Sequence, residues 1–399
     1  MPALAINGGE PIRQRPYPDW PQAGGREREL LEQVLASGNW DSRYGPFVRR
    51  FEKKFAAYQG ARHAICVVNG EAALRVPLQE LGMEPGAEVI VPAYTFVATA
   101  TAVLHAGGVP VFADVEAEGL GLDPVAVEAL VGPRTVAIVP VHIGGMPAAM
   151  SAIVRIAQRH SLAIIEDAAQ AWGARIDGRG VGAIGRAGAF SFHASKNLTC
   201  GEGGAIVTDD DELAASYRSL ANNGRGASGE RYRHVRLGSN LRMSEFHGAL
   251  LCAALERYPE ELQRRDRNAR ALRAALERLP GVRSQAMAPE VETSSWHLVV
   301  LRLDRTAFGG VSKAALVAAL TAEGIPATAG YDSPAYAQAL FRDSAVPHRV
   351  GDCPVAERAC ASETVWVRQN VLLGAEEDAI DVARALERVQ RHAGELIEN

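Results

Sequence analysis

Between about residues 61 and 210, short apolar runs alternate with longer segments of helical period, and Gly, Pro or Asp marks each joint. This alternation predicts a doubly wound α/β sheet. The strand-like runs fall at 64–68, 88–91, 109–113, 135–139, 162–165, 189–192 and 205–208, which makes a large sheet of seven strands. The intervening segments 72–81, 97–106, 125–130 and 150–160 read as helices. Beyond residue 244 the pattern changes. A long helical stretch over 244–273, broken near Pro259, leads to a strand at 296–303, a helix at 313–323 and an amphipathic helix at 376–392.

A chain of 399 residues exceeds the size at which one core keeps growing, so two domains are expected. We read 1–25 as an extended arm, rich in proline (Pro11, Pro16, Pro18, Pro21), that packs on a partner or on the small domain. Residues 26–254 form the large domain and 255–399 a smaller α+β domain. A formal net charge of −5 supplies no basic field for nucleic acid. The first residues lack the apolar core of a secretory signal, and no apolar run is long enough to span a bilayer, so a cytoplasmic protein with no membrane partner is expected. Five cysteines without a C-x-x-C read as reduced thiols, and no metal site is expected.

The most informative segment runs from Ser191 to Gly204, where Lys196 sits between a strand and a glycine-rich turn. Upstream, Asp167 follows a buried strand, at the kind of sheet edge where ligands bind in α/β folds. A lysine that forms an imine with a carbonyl needs a partly desolvated amine, and a protonated pyridine nitrogen needs a carboxylate beside it. Lys196 and Asp167 fit those two roles, although taken singly a surface lysine and a helix-capping aspartate explain them as well. Asn69-Gly70 joins a strand to a helix, which offers free N–H groups and a positive dipole end to a phosphate. Phe96 follows a strand and offers an aromatic face, or simply core.

In order along the chain stand Val-Asn-Gly at 68–70, Pro92-x-x-Thr-Phe96, Pro140-Val-His142, Glu166-Asp167-Ala-Ala-Gln170, Ser191 with Lys196 five residues on, Gly-Glu-Gly-Gly at 201–204 and Gly238-Ser-Asn240-x-Arg242-Met-Ser-Glu245. With these motifs the sequence resembles the DegT/DnrJ/EryC1/StrS aminotransferases, of the fold-type-I, aspartate aminotransferase-like class that depends on pyridoxal 5'-phosphate. The resemblance covers the chain from Asn7 to about Gln390. It implies Lys196 as the Schiff-base lysine, Asp167 on the ring nitrogen, Gln170 on the ring hydroxyl and Phe96 stacked on the ring. It further implies that Gly70, the backbone of Glu71 and Ser191 bind the phosphate, and that Asn240 reaches the phosphate of the other subunit in a homodimer with shared active sites. Members usually carry a small hydroxyl residue at the position of Glu71. A carboxylate beside a phosphate dianion is repelled, so either the Glu71 side chain turns away or phosphate binding is altered.

The opening Asn7-Gly-Gly-Glu-Pro11, the Pro18-x-Trp20-Pro21 arm and Gly330-Tyr331 resemble the branch of ketocyclitol aminotransferases and aminohydroxybenzoate synthases. That branch implies transfer of an amino group from L-glutamine or L-glutamate to a cyclic ketone such as scyllo-inosose. The alternatives are a dehydrating, aromatising synthase, a nucleotide-keto-sugar aminotransferase and a cofactor-binding regulatory protein. Gly180-Val-Gly-Ala-Ile-Gly185 matches G-x-G-x-x-G but precedes a strand, so a dinucleotide-binding reading fails its context. His142, His193 and His247 are too dispersed for a metal motif and read as structural or substrate-contacting, with His193 able to line the pocket. Residues 225–236 read as a loop whose basic side chains meet an α-carboxylate or only solvent.

Overall fold

The computed structural model describes residues 3–226 and 232–396. Two helices, α1 (Gly25–Ser37) and α2 (Phe47–Gln59), precede the α/β region. There the order is β1 (His63–Val67), α3 (Gly70–Glu80), β2 (Glu88–Pro92), α4 (Ala98–His105), β3 (Val109–Ala113), α5 (Pro124–Leu130), β4 (Thr135–Ile138), α6 (Met150–His160) and β5 (Ala163–Asp167). A short hairpin, β6 (Arg175–Ile176) and β7 (Arg179–Gly180), then leads to β8 (Ala187–Ser191), β9 (Gly204–Thr208) and α7 (Asp211–Ala221). All seven expected strands and the four expected helices are present.

The large sheet has one strand more than the sequence suggested. Its order is β1-β9-β8-β5-β4-β2-β3-β14, the last being Arg349–Val350, which pairs in parallel with β3. Two exposed residues contribute no apolar run, which is why β14 carries no sequence signal. The strand β9 runs antiparallel to both of its neighbours, so the sheet is mixed. Successive residues face opposite sides, and both sides are buried: Ile65 and Val67 join one core and Ala64 and Cys66 the other.

The helix α8 (Glu245–Leu276) continues through Pro259, contrary to the break expected there. Proline removes one hydrogen bond from a helix interior. Here tertiary packing holds both flanks: Leu255, Tyr258, Leu262 and Arg265 are buried, and the Tyr258 hydroxyl donates to the Trp172 carbonyl over 3.0 Å. The expected domain division at 254/255 falls inside this helix.

The C-terminal part builds an antiparallel sheet, β10-β12-β15-β13, from Val282–Ser284, Leu298–Leu303, Thr364–Arg368 and Ala327–Thr328, while β11 (Val291–Thr293) pairs with β6. α9 (Lys313–Ala322) lies on it, and the C-terminal helix Glu376–Arg391 packs on α8 and α9. The arm lies on this part of its own chain. Arg13 bonds Asp378 at 2.7 Å and Asp381 at 3.0 Å, and the Tyr17 hydroxyl donates to the Asp378 carbonyl at 3.1 Å. None of the helices among the described residues is long and apolar enough to cross a membrane.

Candidate active site

The cluster forms at the carboxyl ends of β1, β2, β5 and β8. The end of β1 passes directly into α3, whose cap is Asn69: its side chain accepts from the Ala72 amide at 2.8 Å. The amides of Gly70 and Glu71 are left without partners among the described residues, at the positive end of the helix. Gly70 is pressed against Ser191, where an added Cβ would stand 2.7 Å from the serine Cβ and 3.1 Å from its Oγ. Two amides and one hydroxyl thus converge in a cradle suited to an anion.

Adjacent strands β5 and β8 place Asp167 opposite Ala189, two residues before Ser191. The Asp167 carboxylate accepts from the Thr99 hydroxyl at 2.8 Å and from the Ala169 amide at 3.2 Å. Burial raises its pKa above the ordinary carboxylate value, while those two donors and the charges of Lys196 and His142 oppose the rise.

Lys196 stands five residues beyond Ser191, in a turn closed by its amide on the His193 carbonyl at 2.9 Å. Burial lowers its amine to about 8, against the pull of Asp167. From the arm, the Trp20 indole donates to the Lys196 carbonyl at 3.1 Å, and the buried Arg265 guanidinium lies over the Trp20 ring at 5.3 Å.

Gln170 accepts from the Gly144 amide at 2.8 Å and acts with Asp167 on the Tyr331 hydroxyl. Burial first drives that hydroxyl well up, Tyr94 and Asp167 add to the rise, and Gln170 opposes it. The Glu71 carboxylate turns to α4, where it meets His105 Nδ1 at 3.0 Å. Phe96 is 60% exposed, three residues before Thr99. Asn240 is also exposed, and no hydrogen bond joins its side chain to the cluster among the described residues.

Several residues at this place carry no motif. Thr99 has only its hydroxyl one helical turn beyond Thr95, the two Oγ1 atoms 2.9 Å apart. Asn197 donates to the Ser295 carbonyl at 2.7 Å, which leaves its oxygen to receive His297 Nδ1 at 3.1 Å. Burial pushes His297 well below the usual histidine range, and the Lys196 charge adds to this, so a neutral imidazole sits behind the lysine.

His142 proves structural: it is fully buried, with Nε2 at 3.2 Å from Glu166 and Nδ1 accepting from the Ala148 amide at 3.1 Å. The glycine run 180–185 serves the same carboxylate, since the Gly182, Ile184 and Gly185 amides donate to Glu166 at 2.7, 2.7 and 2.6 Å. His193 is exposed and pairs with the Ser195 hydroxyl at 2.9 Å, and His247 pairs with Ser244 at 3.1 Å. In the basic loop, residues 227–231 lie outside the described residues.

A family model described as the DegT/DnrJ/EryC1/StrS aminotransferase family matches residues 21–387. The chain belongs to that family. It is 38% identical over 425 aligned positions, covering 99% of each chain, to the L-glutamine:2-deoxy-scyllo-inosose aminotransferase of Streptomyces paromomycinus. A crystal structure of 3-amino-5-hydroxybenzoic acid synthase superposes with a TM-score of 0.86 at 35% identity, covering 93% of this chain and 99% of the other. A crystal structure of DesI in the presence of its TDP-sugar product gives 0.87 at 33% identity, covering 99% and 98%. As a member of this family the chain is a pyridoxal-phosphate-dependent aminotransferase of the fold-type-I class. Its residues fit that cofactor, for the free amides beside Ser191 suit a phosphate, the buried Asp167 suits a ring nitrogen and the partly buried Lys196 suits a carbonyl.

Proposed function

We propose that this chain moves the amino group of L-glutamine or L-glutamate onto a cyclic ketone of the ketocyclitol class, a ketone of the scyllo-inosose type being the sharpest form of the reading. The observation that carries the chemistry is the partly buried Lys196, its amine lowered to about 8, with the buried Asp167 at a strand end, beside the cradle of Gly70, Glu71 and Ser191. The relative from Streptomyces paromomycinus, alike over 99% of both chains, supports the substrate class.

When bound, the cofactor supplies an electron sink for the carbanion left on the donor's α-carbon. Asp167, steadied by Thr99 and the Ala169 amide, would hold a proton at the ring nitrogen. The Lys196 amine, lowered to about 8, would take the α-proton of the donor and return a proton to the carbon that receives the amino group. Gly70, Glu71 and Ser191 would anchor the phosphate through two amides and a hydroxyl. Gln170, oriented by the Gly144 amide, would meet the ring hydroxyl, and Phe96 would cover one face of the ring.

The exposed Asn240 and Phe96, with Trp40, Tyr44 and Leu237 also more than half exposed, support a homodimer in which Asn240 completes the partner's phosphate site. An amino-donor-loaded chain should convert ketocyclitols in a panel that also holds keto-sugar nucleotides; conversion of the nucleotides alone overturns the substrate reading.

The likeness to 3-amino-5-hydroxybenzoic acid synthase favours a second reading, loss of water from a ring ketone followed by aromatisation. Appearance of an aromatic product from a ring ketone would select it.

A further inference from the structure

On the first turn of α3, next to the two amides proposed to hold the cofactor phosphate, the chain places a carboxylate. Glu71 stands at the second residue of a helix whose positive end would bind a dianion, and its own charge opposes that binding. The structure shows where the charge goes. The Glu71 carboxylate meets His105 Nδ1 at 3.0 Å, and His105 is the last residue of α4. A carboxylate only accepts, so Nδ1 carries the proton in this contact. The pairing is specific to side chains on two helices that pack together, 34 residues apart in sequence.

We propose that Glu71 and His105 form a unit that sets the strength of phosphate binding: His105 draws the carboxylate away from the cradle, and without it Glu71 repels the phosphate. The inference rests on the cofactor reading above; it adds one residue, His105, to the phosphate site and gives the Glu71 side chain a role beside that of its amide. Glu71 thereby contributes its amide to the cradle while its side chain weakens it, and His105 limits the loss.

The test is titration of the full-length, cofactor-free chain with pyridoxal 5'-phosphate and, separately, with pyridoxal, followed by borohydride trapping on Lys196. Glu71→Gln and Glu71→Ser should tighten pyridoxal phosphate several-fold. His105→Gln should weaken it several-fold in the parent chain but leave it unchanged in the Glu71→Gln background. None of these substitutions should alter pyridoxal, which lacks the phosphate. Equal effects on both compounds, a weaker Glu71→Gln chain, or a His105→Gln effect that persists without Glu71 would overturn the proposal. Failure of the parent chain to bind pyridoxal phosphate at all would instead overturn the cofactor reading, so the two failures are separable.

Discussion

The Thr99 hydroxyl donates to the Asp167 carboxylate over 2.8 Å, joining the start of α4 to the end of β5. This bond and the Ala169 amide counter the burial that favours the protonated acid. A hydrogen bond to a charged group contributes about 1.5–3 kcal/mol, so Thr99→Val should lower kcat about tenfold or more. The check is steady-state kinetics together with a pH titration of the cofactor's absorbance, which should move in Thr99→Val and stay put in Thr99→Ser.

Lys196 makes a pH prediction. Its amine is lowered to about 8 chiefly by burial, so the rate of covalent attachment of pyridoxal to the cofactor-free chain should rise as pH climbs through about 8 and then level. The folded chain loses this proton near pH 8 and the unfolded chain near 10.5. Between those values the unfolded state holds more of this proton, so the contribution of Lys196 to stability rises with pH. In denaturant melts of the cofactor-free chains the parent should therefore gain stability relative to Lys196→Met as pH rises from about 8 to 10.5.

Gly70→Ala should act on the cradle. The new methyl would stand 2.7 Å from the Ser191 Cβ and force the helix start or the end of β8 to move. Overpacking of this kind costs about 1–3 kcal/mol, and cofactor affinity, read by titration, should fall at least tenfold.

The sheet was legible because buried strands leave apolar runs, and so were the residues at the strand ends. Lys196, Asp167, Gly70 and Ser191 sit where the alternation of strand and helix ends, and spaced motifs mark them. Thr99, His297, Trp20 and Tyr331 were not legible as site residues, because each reaches the cluster by tertiary folding. Trp20 lies 176 residues from the lysine whose carbonyl it binds, and His297 meets Asn197 across 100 residues. Pro259 misled for a related reason, since local propensity marks a break that packing on both flanks of α8 overrides.

Beneath the site, Glu166 accepts three backbone amides and His142 with no exposure to solvent. Glu166→Gln puts an amide donor where only acceptors fit, and should cost about 3 kcal/mol of stability. Denaturation of the cofactor-free chain gives this value directly, and His142→Gln should lose less because one donor of four is changed.

The central claim is that Lys196 carries the cofactor and yields it to an amino donor. The direct measurement is peptide mapping after borohydride reduction of the loaded chain, before and after L-glutamine or L-glutamate is added. The reduced pyridoxyl label is expected on Lys196 beforehand, lost once the donor is present and restored when a ketocyclitol follows. A label on another lysine, or a label on Lys196 that no amino donor removes, would contradict it.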